Sequence, residues 1–121
     1  MVLFDTNMIL RYLLNDNKEM AEQAEKYIEH EDVLVTIEVI AEVIYVLKGV
    51  YSLEREKISD TVKDFLDLVS CQEKEIVNLA VDIFGEKNLD FVDCVLYAYH
   101  KLKNMQVITF DKKLIKLMED N

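Results

Sequence analysis

Four acids in this sequence stand where a carboxylate is expensive. Asp5 follows Val2-Leu3-Phe4, and Glu42 interrupts the apolar run Ile40 to Leu47. Asp93 lies between Phe91-Val92 and Cys94-Val95-Leu96, and Asp111 follows Val107-Ile108-Thr109-Phe110. A charge beside core segments is costly unless it is paired, hydrogen-bonded or bound to a metal. If the four converge, two carboxylates about 5 Å apart repel by roughly 3 kcal/mol at an effective dielectric of ~20. A divalent cation relieves that repulsion at neutral pH. Oxygen donors with no His or Cys among them select Mg²⁺ or Mn²⁺ over Zn²⁺, and Mg²⁺ keeps waters, as a hydrolytic site requires.

Each acid also has a plainer reading. Asp5 and Asp111 are good helix caps. Asp93, three residues after Asp90, complements a helix dipole. Glu42 shares a stripe with Glu38, Tyr45 and Gly49, which could be the solvent face of an otherwise buried helix. The other acids, most of the 24 Asp and Glu, sit in polar surroundings and read as solvated surface.

The elements that must position these residues alternate. Val2–Phe4 reads as a buried strand that turns into a helix over 8–14, with Asp5, Thr6 and Asn7 as capping residues. A helix follows over 18–31, a strand over 33–35 and a strongly apolar helix over 37–50. Residues 54–69 are amphipathic, with Ile58, Val62, Phe65, Leu66 and Val69 at helical spacing. Residues 75–84 read as a short extended piece and then a helix. Asp90 caps a helix over 91–102, Gln106–Phe110 reads as a strand, and a last helix covers 112–119. Short apolar strands between helices predict an α/β fold with a parallel sheet flanked on both faces. Such sheets bind ligands beyond the carboxyl ends of their strands. Asp5 and Asp111 would both project from that edge.

Composition narrows the class. The 121 residues are 51% apolar and 31% charged, with no Pro and two Gly, which fits a folded helical chain and excludes disordered or turn-rich all-β ones. We read residues 1–121 as one domain, without repeats or linkers. Two Cys are too few for a disulfide scaffold, and Cys94 sits in an apolar run as a reduced thiol would. No apolar run is long enough to span a membrane, and no signal peptide opens the chain, so the expected location is the cytoplasm. His30 and His100 lack ligand-spaced companions and read as surface or helix-end residues. The first helix, with Met8, Leu10, Tyr12 and Leu13, is apolar nearly all round and requires burial on more than one side. A homodimer would supply it.

Taken together, these motifs resemble the PIN-domain family of metal-dependent ribonucleases, in particular the small VapC-type toxins of prokaryotic toxin–antitoxin pairs. The resemblance rests on Asp5-Thr6-Asn7 after the opening strand and on Ile40-Ala41-Glu42-Val43 inside an apolar helix. It continues in Asp90-Phe91-Val92-Asp93 at a helix start and Val107-Ile108-Thr109-Phe110-Asp111 near the end. It covers essentially the whole chain. It implies a three-layer α/β/α fold with a short central sheet, and hydrolysis of RNA phosphodiesters. Asp5, Glu42 and Asp93 match the metal-binding carboxylates and Asp111 the fourth acid, with Thr6 and Asn7 as supporting residues. Lys112 and Lys113 stand where relatives often carry another polar or acidic group. The resemblance further implies a homodimer and a cognate antitoxin whose tail wraps the domain. A stand-alone RNA-processing nuclease, or an inert PIN-like interaction module, is the alternative.

The charge of −10 opposes a simple nucleic-acid coat. The distribution is uneven, since residues 101–121 hold five Lys against three acids, while the first 100 hold nine bases against 21 acids. Lys112, Lys113 and Arg11 are the candidate phosphate contacts. An aspartyl-phosphate phosphatase would require a second Asp at the position of Asn7. A receiver domain would require paired acids after the first strand and a mid-chain Asp closing another. Neither pattern is present.

Overall fold

In the computed structural model, residues 1–120 are described, and Asn121, the last residue of the expected 1–121 domain, lies outside the described residues. Three parallel strands lie in the order β1 (Val2–Leu3), β2 (Val33–Val35), β3 (Ser70–Cys71). Val2 pairs with Val33 and Leu3 with Leu34, while Leu34 pairs with Ser70 and Val35 with Cys71. The central β2 buries Val33 and Val35 on one face of the sheet and partly buries Leu34 on the other. Seven helices complete the chain: α1 (Thr6–Leu14), α2 (Lys18–His30), α3 (Ile37–Gly49), α4 (Arg55–Leu66), α5 (Lys74–Glu86), α6 (Phe91–Lys103) and α7 (Lys112–Glu119). This is the expected α/β/α arrangement, with the seven expected helices in place.

The third strand is a correction. Gln106–Phe110 is not a strand, although its β-branched residues favour extended backbone. A strand needs a partner, and here Ile108 and Phe110 point into solvent at 84% and 101% exposure. The ladder's third member is Ser70–Cys71, a pair too short and polar to announce itself. The extended piece expected at the start of 75–84 is not there: α5 (Lys74–Glu86) is helical throughout that range, and the extended residues lie earlier, at Ser70–Cys71.

Lacking Pro and nearly lacking Gly, the chain stops helices with asparagine. Asn15 ends α1 and Asn104 ends α6, both left-handed at φ 49° and 55°. Helix α3 runs through the middle of the core. Ile40, Val43, Ile44 and Leu47 are fully buried, whereas Glu38, Glu42, Tyr45 and Gly49 form its exposed stripe. It packs on α1, α4 and α6. Helix α1 finds burial within its own chain against α2 and α3. Ile9 and Leu10 are buried, Met8, Tyr12, Leu13 and Leu14 are half-buried, and the Tyr12 ring lies 5.9 Å from that of Phe65.

One glycine is needed for close approach. A Cβ on Gly85 would lie 2.7 Å from Ser59 Cβ and 2.9 Å from Ser59 Oγ, whose hydroxyl donates to Val81 O at 3.0 Å. Gly85→Ala is therefore expected to cost about 1–3 kcal/mol through overpacking between α4 and α5. Urea unfolding checks it. In a Ser59→Gly background most of the cost should vanish, and an equal cost there would refute the steric cause.

Candidate metal-binding site

Asp5 ends the β1 segment and caps α1, its Oδ1 accepting from Met8 N at 2.9 Å. Asp111 caps α7 in the same way, accepting from Leu114 N at 2.9 Å, and its own amide donates to Thr109 Oγ1 at 3.0 Å. Both plainer readings are thus realised. Each cap bond uses one carboxylate oxygen, so capping leaves the other oxygen of each group outside that bond. Glu42 sits in the second turn of α3. The Thr6 hydroxyl, one residue after Asp5, donates to its Oε1. That bond ties the end of β1 to the exposed stripe of α3. Asn7 is exposed in the first turn of α1.

Asp93 lies in the first turn of α6 and is half-buried. Burial raises its pKa above the ordinary carboxylate value, and the charges of Asp111 and Asp90 raise it further. Asp90, Asp93 and Asp111 line one cleft of about 290 Å³ with Lys112 and Lys113 at its rim. On its other side Asp93 borders a larger groove of about 650 Å³ between α3 and α6, where Ala41, Tyr45 and Phe91 supply apolar wall.

The expected acids therefore fall on a continuous series of packed elements, α1 on α3, α3 on α6, α6 on α7. The geometry brings them together in two groups, Asp5 and Glu42 through Thr6, and Asp93 with Asp111 and Asp90. Among the described residues, no three His, Cys, Asp or Glu side chains stand close enough to hold a metal as placed. The donor chemistry nevertheless fits a hard divalent cation. Every candidate ligand is an oxygen, and the like charges around Asp93 disfavour its ionised form until a cation offsets them.

Arg11 lies elsewhere. It bridges Asp16 at 2.8 Å and the Tyr51 hydroxyl at 3.3 Å. His100 Nδ1 donates to Met105 O, 2.9 Å away just beyond the end of α6, and His30 is the last residue of α2. Cys94 is buried and its thiol is pushed up to about 12, so it is inert at neutral pH.

Sequence reasoning missed Arg55. Its Nη1 donates to the carbonyls of Phe84 at 3.2 Å, Lys87 at 2.8 Å and Leu89 at 2.7 Å, and its guanidinium lies 4.3 Å from the Phe84 ring centroid. It clamps the α5–α6 connection that delivers Asp90 and Asp93. The signal was present: Arg55 leads the stripe Ile58, Val62, Phe65 on the buried face of α4, where a surface arginine would not stand.

Comparison with known proteins places the chain in a family. Residues 2–119 match the PIN domain, and the chain belongs to that family. Among curated proteins it is 29% identical over 125 aligned residues to the VapC ribonuclease of Aquifex aeolicus (strain VF5), covering 97% of this chain and 92% of that protein. No solved structure matches it. No helix among the described residues is long and apolar enough to cross a membrane.

Proposed function

We propose that this single-domain chain is a divalent-metal-dependent endoribonuclease, the toxin of a toxin–antitoxin pair, acting in the cytoplasm. The observation that carries the reading is the state of Asp93, whose carboxyl is held above its ordinary range by burial and by Asp111 and Asp90. Like charges gathered in one cleft, between the start of α6 and the start of α7, call for a cation. The PIN-domain match and the VapC ribonuclease relative support RNA as the polyanion that arrives with it.

Asp5, Glu42, Asp93 and Asp111 would hold Mg²⁺ or Mn²⁺, with Thr6 fixing the rotamer of Glu42 and Asn7 supporting the same turn. Bound there, the ion supplies charge to a phosphate oxygen and acidifies water, the chemistry of in-line phosphodiester hydrolysis. The carboxylates orient the attacking water and accept its proton. Lys112 and Lys113, at the rim of the Asp93–Asp111 cleft, would meet a neighbouring phosphate. Arg11, held by Asp16 and Tyr51, fits that role less well. A −10 surface suits a basic antitoxin tail, while a second copy as partner in a homodimer rests on the family likeness alone, since α1 packs within its own chain.

Incubating the pure chain with single-stranded RNA tests the reading. Cleavage is expected with Mg²⁺ or Mn²⁺, none with EDTA, and none from Asp5→Asn, which keeps the α1 cap but removes a charge. Full cleavage in EDTA would overturn metal dependence. No cleavage of any RNA in the presence of metal would overturn the nuclease reading.

A further inference from the structure

A second cleft, of about 360 Å³, lies between the α5–α6 connection and α7. Lys87, Lys113 and Lys116 line it, with Leu89 and Leu117 as apolar wall and Asp120 as its only acid. In a chain with 24 acids against 14 bases, three lysines around one small depression is a strong local reversal. Lys113 and Lys116 are three residues apart on α7 and so are neighbours on one helix face. Lys87 arrives from the end of α5, and Lys113 Nζ is placed by Asn88 O at 3.4 Å. Asn88, Leu89 and Lys113 also line the cleft that holds Asp93 and Asp111. The two depressions therefore adjoin along a shared wall, with most of the carboxylates in one and Lys87 and Lys116 in the next.

We propose that this lysine cleft is a backbone-phosphate subsite that grips single-stranded RNA beyond the scissile bond. The proposal rests on the nuclease reading above and adds Lys87 and Lys116, which that reading does not use. Its chemistry follows from that shared wall. A polyanion whose one phosphate lies at the carboxylate cluster has its flanking phosphates carried over Lys113 toward Lys87 and Lys116. Lysines act there as point charges without base preference, so the subsite adds affinity and direction and leaves sequence choice to other contacts.

The test is a binding measurement that does not depend on cleavage. All proteins carry Asp5→Asn, and the probe is a fluorescein-labelled 12-nucleotide RNA titrated at several KCl concentrations. For single strands each phosphate neutralised contributes about 0.7 to the slope of log K against log salt. K87Q/K116Q is expected to lower that slope by about 1.4 and to weaken binding about tenfold at moderate salt. K116Q alone is expected to lower it by about 0.7. K18Q/K26Q on α2 changes net charge equally and should leave the slope in place. Kinetically, with Asp5 restored, K87Q/K116Q is expected to raise KM and keep kcat. Equal slopes for K87Q/K116Q and K18Q/K26Q would overturn the subsite. So would loss of binding to a polyglutamate peptide with RNA binding intact, which would make the cleft a protein-docking site. If the parent chain cleaves no RNA with metal, the nuclease reading fails, while the slopes still judge the cleft.

Discussion

Asp93→Asn is expected to make the metal-free chain more stable and to lower RNA cleavage about a thousandfold or more. The two effects share one cause. Burial and the charges of Asp111 and Asp90 raise the folded-state pKa of Asp93 above its unfolded value. The folded chain then binds that proton more tightly than the unfolded chain does. The stabilisation this gives is complete at low pH and is lost as pH rises through the folded pKa. At pH 7 the carboxylate is a net cost that a neutral amide of the same shape removes. Melting of the metal-free variant is expected about 2–4 °C above the parent. Adding Mn²⁺ should raise the parent's melting temperature and leave the variant's almost unmoved. A variant that melts lower than the parent at pH 7, yet matches it at pH 3, would refute the charge argument.

Arg55→Ala is expected to cost about 2–4 kcal/mol, roughly 10 °C in melting temperature, though the residue touches none of the acids. Three carbonyls, those of Phe84, Lys87 and Leu89, lose a cationic donor, and the Phe84 ring loses a stacked guanidinium. The α5–α6 connection would loosen, and with it the start of α6. Metal affinity, read by calorimetric titration with Mn²⁺, should therefore fall along with stability. Arg55→Lys keeps a charge without the planar face and is expected to recover only part of both. Unchanged Mn²⁺ affinity in Arg55→Ala would separate the clamp from the site.

The sequence announced its helices because their apolar periodicity is local. Ile58, Val62, Phe65 and Leu66 mark the buried face of α4 whatever lies opposite. The acids were legible for a related reason, since a charge next to Phe4 or Phe91 stands out against its neighbours. The sheet was harder. Whether an extended segment becomes a strand is decided by a partner distant in sequence. Ser70–Cys71 gained one in β2, while Val107–Phe110 did not. Asp111 was accordingly placed at the end of a strand when it stands at the end of an unpaired extended run, fixed by Thr109 and its cap on α7. Arg55 was overlooked because arginine in a Glu-rich stretch looks like surface. Its place on the buried stripe of α4 marked it as partly buried, but its three acceptors, at the end of α5 and in the connection after it, lie about thirty residues away and leave no local trace.

The unpaired run before Asp111 bears on amide exchange. Glu42 and Asp93 ride on helices that also carry the fully buried Ile40, Ile44 and Cys94, whose backbone protons are expected to exchange slowly. Residues 106–110 have no ladder to break, so their protons leave at little cost in free energy. The cluster thus joins two carboxylates on slowly exchanging helices to a third, Asp111, which follows a fast-exchanging run but is itself anchored by its cap on α7.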